Sequence, residues 1–163
     1  MRFNKLVLVF CLLASVLSGC GGSADDDSPI TREDRAKIIR WSLEYALVDQ
    51  NIPDYALIQD PENIVLSAEN IDADLLPTLP GINLILLTRE EIQDRANREG
   101  DLLYIEFTDF TVESDTKVTV SLSNTWSVGT DSETAYLSGG GFAIEFTKTS
   151  GAWIGEVGPM WMS

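Results

Sequence analysis

Residues 141–157 read GFAIEFTKTSGAWIGEV, and this stretch decides the fold. Phe142, Ile144 and Phe146 stand at every second position, with Ala143, Glu145 and Thr147 between them. That period of two belongs to a strand with one dry face and one wet face. Ser150-Gly151 has a turn composition, and Trp153, Val157 and Trp161 then follow at even spacing. An alternating run, a two-residue turn and a second alternating run predict a β-hairpin.

The same grammar extends toward the N-terminus. Residues 101–112, DLLYIEFTDFTV, and 117–128, KVTVSLSNTWSV, are β-rich and joined by the turn-forming Glu113-Ser114-Asp115-Thr116. In the second run Val118, Val120, Leu122 and Trp126 alternate with Lys117, Thr119, Ser121 and Thr125. Two long hairpins therefore form an antiparallel meander. Residues 63–71, NIVLSAENI, read as one more strand. Residues 82–88, INLILLT, fit either a buried strand or the start of a helix.

Two helices are expected. Thr31 is a good N-cap, with Asp34 three residues on, and Ala36, Ile39, Leu43, Ala46 and Leu47 recur at helical spacing. Ile38, Trp41 and Tyr45 widen that apolar stripe, and Pro53 marks its latest end. The second helix opens with the capping box Thr88-Arg89-Glu90-Glu91 and stops near Gly100. Only Ile92 and Ala96 are apolar within it, so it should lie largely on the surface. The expected fold is α+β, an N-terminal helix packed on one side of a curved antiparallel sheet.

On the residues GFAIEFTKTSGAWIGEV, the closing hairpin resembles that of NTF2-like domains, in which a Gly-x-Trp turn follows an alternating strand; Gly151 and Trp153 match that habit. A cystatin-like sheet around one helix gives the same pattern. The resemblance covers roughly the last third of the chain and implies a fold, not an activity.

The start of the chain is read separately. Arg2 and Lys5 precede a 12-residue apolar run, Leu6 to Leu17, that ends in Ser-Gly-Cys. Spanning a bilayer takes about 20 apolar residues, so this is the pattern of a secretory signal. Leu17-Ser18-Gly19-Cys20 resembles the bacterial lipobox, which implies cleavage before Cys20 and acylation of its thiol. The other cysteine, Cys11, lies inside the leader, leaving Cys20 as the one thiol after cleavage. Several acyl chains, at about 0.8 kcal/mol per buried CH₂, would hold such a protein on a bilayer. The expected organisation is a leader at 1–19, a flexible acidic tether at 20–30 and one domain at 31–163. Among Gram-negative lipoproteins, Gly21 after the cysteine implies the outer membrane, facing the periplasm.

Charge narrows the partners. The chain carries 11 Lys+Arg against 26 Asp+Glu. Loss of Arg2 and Lys5 leaves nine cations against 26 anions, a formal charge of −17. That disfavours nucleic acid, whose affinity comes from neutralising phosphates. The chain has no histidine, which removes the usual general base, the usual zinc ligand and both Ser-His and Cys-His nucleophile systems. No cofactor or metal is expected. Glu106 and Asp109 are expected on the solvated face of their strand and receive no catalytic role. Residues 136–142, YLSGGGF, lack phosphate-loop spacing and precede a strand, so they read as a loop or bulge that lets a strand enter the sheet, with the three glycines suggesting a tight packing point or a pocket rim.

Trp126, Tyr136, Trp153 and Trp161 gather in the C-terminal strands, either as core or as the wall of a pocket or recognition surface. Tyr104 and Trp41 are assigned to the core. Three functional readings follow. The first is a tethered, non-catalytic module that binds a small apolar ligand or an envelope protein. The second is an Asp/Glu–Tyr enzyme with an apolar cavity. The third is a structural subunit of an envelope assembly, or a homodimer.

Overall fold

The computed structural model describes residues 28–134 and 139–162. The leader, Cys20 and most of the tether lie outside the described residues, as does Tyr136. Six strands form one sheet: β1 (Asn63–Ser67), β2 (Asn83–Leu87), β3 (Leu102–Val112), β4 (Lys117–Ser127), β5 (Gly140–Thr149) and β6 (Ala152–Met162). Their order is β2-β1-β3-β4-β5-β6. Helix α1 spans Arg32–Leu43 and runs into a π-helical turn at Glu44–Val48; α2 spans Arg89–Glu99. The fold is α+β.

Both hairpins form as expected. Strands β3 to β6 are antiparallel in sequence order, and the β5–β6 turn places Ser150 at φ 53° and Gly151 at φ 82°. Two consecutive positive φ values suit a two-residue turn whose twist matches the flanking strands.

The sheet is mixed, however, and not wholly antiparallel. β1 pairs parallel with both β2 and β3. Parallel neighbours need a crossover, and α2 supplies it by carrying the chain from β2 over β1 to β3. The helices consequently lie on both faces rather than one. α2 packs Ile92 against Val65 and Tyr104, with Ile85, Leu87 and Leu102 around them. Two apolar residues suffice for α2 because β1 and β2 meet it with near-continuous apolar runs, the signature of strands covered on both sides. Tyr104, assigned to the main core, belongs to this smaller cluster.

The main core fills the space between α1 and the opposite face. Ile38, Ile39, Leu43 and Leu47 meet Ile64, Leu66, Ile105, Phe107, Val118, Val120, Leu122, Phe142, Ile144 and Phe146, all at most 2% exposed. Ile30, read from sequence as the end of the tether, is 5% exposed and joins this core.

The glycine run is a packing point. A Cβ at Gly139 would overlap the backbone of Asn124, one at Gly140 would lie 2.8 Å from Pro53, and one at Gly141 would lie 2.7 Å from the Trp161 ring. Asn124, 1% exposed, uses this closeness: its amide donates to the Pro53 carbonyl, and its oxygen accepts from the Gly140 N–H at 2.6 Å. One side chain thus ties the 49–58 segment to the start of β5.

Candidate functional site

Helical spacing turns Asp34, Lys37, Trp41 and Tyr45 toward the β5–β6 hairpin. Thr31 caps α1, its hydroxyl accepting from the Asp34 N–H at 3.1 Å. The Asp34 carboxylate leaves the cap to meet the sheet. One oxygen accepts from Lys148 Nζ at 2.8 Å and the other from Trp153 Nε1 at 2.9 Å. Lys148 and Trp153 are cross-strand partners, so a single carboxylate clamps one rung of the hairpin to the helix. Asp34 is 6% exposed. The Lys148 hydrogen bond, above all, holds its pKa at about 2, with the indole N–H adding to the effect and burial opposing it. The Lys148 ammonium also sits 5.4 Å from the Trp153 ring centroid. The indole is fixed at its nitrogen and at its ring.

Trp41 is fixed by other means. It stacks on Tyr45 at 5.5 Å and meets Phe146 edge-on at 5.4 Å. Its ring crosses β6 where the strand has no side chain: a Cβ at Gly155 would approach Trp41 to 3.2 Å and Phe146 to 2.9 Å. Between the two tryptophans lies a surface cleft of about 330 Å³, lined by Lys37, Trp41, Phe146, Gly151, Ala152 and Trp153. Lys37 at its rim pairs with Glu33 at 2.7 Å. Such a cleft offers apolar ring faces and one cation.

A second polar cluster lies on the opposite face. Glu106, expected in solvent, is only 9% exposed because the polypeptide around α2 covers its end of β3. It accepts from Thr125 at 3.1 Å, Ser123 at 3.4 Å and Arg89 at 3.4 Å, and Arg89 also pairs with Glu69 at 2.7 Å. Burial pushes the neighbouring Tyr104 phenol upward. Asp109, beyond the bulge between Phe107 and Asp109, is exposed, and both its oxygens accept from Thr111.

The aromatic residues singled out from sequence are not brought together. Trp153 lines the cleft near the hairpin turn. Trp161 lies at the other end of β6, 40% exposed, on the face away from α1 beside Gly141. Trp126 is half-buried opposite Leu103. Trp41, assigned to the core, is half-buried and forms a wall of the cleft. Lys37, Asp34 and Lys148 were not expected at a site. An acidic residue in a first helical turn reads as helix-end electrostatics, and nothing in the local pattern announces a partner 114 residues away.

β6 is also the sheet's edge, and it exposes Ile154, Met160 and Met162. Among the described residues no group of His, Cys, Asp or Glu is placed to hold a metal ion, and no helix is long and apolar enough to cross a membrane. No protein-family model, no curated protein and no solved structure matches the chain.

Proposed function

We propose that this protein is a lipid-anchored, non-catalytic binding module of the cell envelope. It is a bacterial lipoprotein tethered through acylated Cys20, facing the periplasm from the outer membrane if the cell is Gram-negative. Its recognition site is the Trp41–Trp153 cleft, and its ligand is a small molecule with a flat, apolar ring face. The observation that carries this reading is the indole of Trp153, locked by the buried Asp34 at the lip of an open cleft. Trp153 is half-exposed, and its indole N–H is oriented by the buried Asp34 carboxylate, so its ring face is presented to the cleft in a fixed orientation. Preorganised aromatic walls with few polar groups suit small-molecule binding.

The enzyme alternative needs a carboxylate free to exchange a proton in an enclosed apolar site. Asp34 is bound to a cation and an indole, and Glu106 to two hydroxyls and an arginine. Both are occupied with structure. The likeness to NTF2-like or cystatin-like domains rests on the β5–β6 hairpin and on α1 lying across the sheet. The parallel pairing of β1 falls outside that likeness.

Anchoring is tested by Cys20→Ser. The substitution should abolish incorporation of labelled fatty acid and move the protein from the membrane to the soluble fraction. Membrane association that persists unchanged would remove the anchor.

A further inference from the structure

The cleft differs in charge from the rest of this acidic surface. Three other surface clefts each carry carboxylates: Asp60, Glu99 and Asp101 in one, Glu145 and Glu156 in a second, Asp101 and Asp131 in a third. The Trp41–Trp153 cleft has none in its lining and has Lys37 at its rim. In a chain with 26 acidic residues and 11 basic ones, a cleft lined by a cation and no carboxylate, with Glu33 meeting that cation from outside the lining, marks a place where a negative group is tolerated.

Resting on the reading of the cleft as a binding site, we propose that its ligand is a six-membered-ring carboxylate, and that Lys37 selects the carboxylate while Glu33 competes for the same ammonium. The ring packs on Trp41 and Trp153, over the floor made by Phe146. Its carboxylate then replaces Glu33 at Lys37. The Glu33–Lys37 pair is easily exchanged, because its side chains are 79% and 59% exposed. Such exposed pairs contribute little to stability and exchange readily. A carboxylate delivered by ring packing reaches Lys37 at a high effective concentration, which favours the exchange. Lys37 is an ordinary exposed ammonium, charged at neutral pH with or without Glu33, whose hydrogen bond only raises its pKa further. Lys148 is no rival for the ligand, since the buried Asp34 already takes it.

Two sources share this chemistry, aromatic acids and uronic sugars, and matched probes separate them. The full chain, purified in mild detergent, is titrated calorimetrically with phenylacetate against phenylacetamide, and with glucuronate against glucose. In the pair that belongs to the cleft, the acid should bind about tenfold more tightly than its neutral partner, a difference of about 1.4 kcal/mol. Lys37→Gln should erase that difference. Glu33→Gln should strengthen the acid alone, by about threefold. Equal binding of acid and neutral probe in the wild type would overturn the role of Lys37 while the binding site itself stands. So would a preference for the acid that survives Lys37→Gln. If none of the four probes binds, the reading of the cleft fails, and the selection by Lys37 fails with it.

Discussion

Phe146→Ala should cost about 3–5 kcal/mol of folding free energy, measured by urea denaturation at neutral pH. Phe146 is 1% exposed, and its ring is shared by two structures. One side belongs to the main core with Ile144 and Phe142; its edge supports Trp41 and the floor of the cleft. Deleting it opens a void that neighbouring strands cannot close, because β5 is held on both sides by ladders. The expected accompaniment is a blue-to-red shift in tryptophan emission as Trp41 loses its support and meets water. A loss below about 1 kcal/mol would mean that α1 can settle onto the sheet, and that the cleft floor is not part of the packed core.

Asp34→Asn should be the second large effect, about 2 kcal/mol. Breaking a fully buried ion pair costs about 3–5 kcal/mol. Lys148 keeps 27% of its side chain exposed, so the cost falls below that range. The pH dependence distinguishes this from simple loss of packing. The Asp34 carboxyl is depressed from 3.8 to about 2 in the folded protein. A depressed carboxylate contributes stability that is present in full above its unfolded pKa and disappears as pH falls through the folded one. The gap between wild type and Asp34→Asn should therefore be constant from neutral pH down to about 4, and close between about pH 4 and 2. A gap that stays the same throughout that window would show that the charge on Asp34 is not what clamps the hairpin.

Much of the fold was legible in the sequence, for local reasons. The hairpins of β3–β4 and β5–β6 announce themselves because each has one wet face, so polar and apolar residues alternate visibly. Both helix starts are written in their caps, Thr31 and Thr88. The parallel pairing of β1 was not legible. NIVL and LILL are apolar on both sides, and a run without alternation carries neither register nor direction. The position of α2 was hidden for the same reason, since its partners lie on those two strands.

The cleft was harder to see than the fold. Trp153 was visible as a candidate, but Trp41 reads as core by helical period, and nothing in the local pattern singles out Gly155. Only the pairing of β6 with α1 shows that the glycine makes room for the ring. Asp34 and Lys148 are far apart in sequence and sit in patterns that have sufficient local explanations. Glu106 illustrates the converse: its alternation with Ile105 and Phe107 predicts solvent, and the neighbourhood of α2 covers it.

The most direct test places ¹⁹F-labelled tryptophan at Trp41, Trp126, Trp153 and Trp161 of the full chain and follows all four signals by NMR during titration with phenylacetate and glucuronate. The account predicts that the Trp41 and Trp153 signals move together and saturate together with at least one of these ligands, while Trp126 and Trp161 stay in place. Movement confined to Trp126 or Trp161, or four unmoved signals with both ligands, would contradict it.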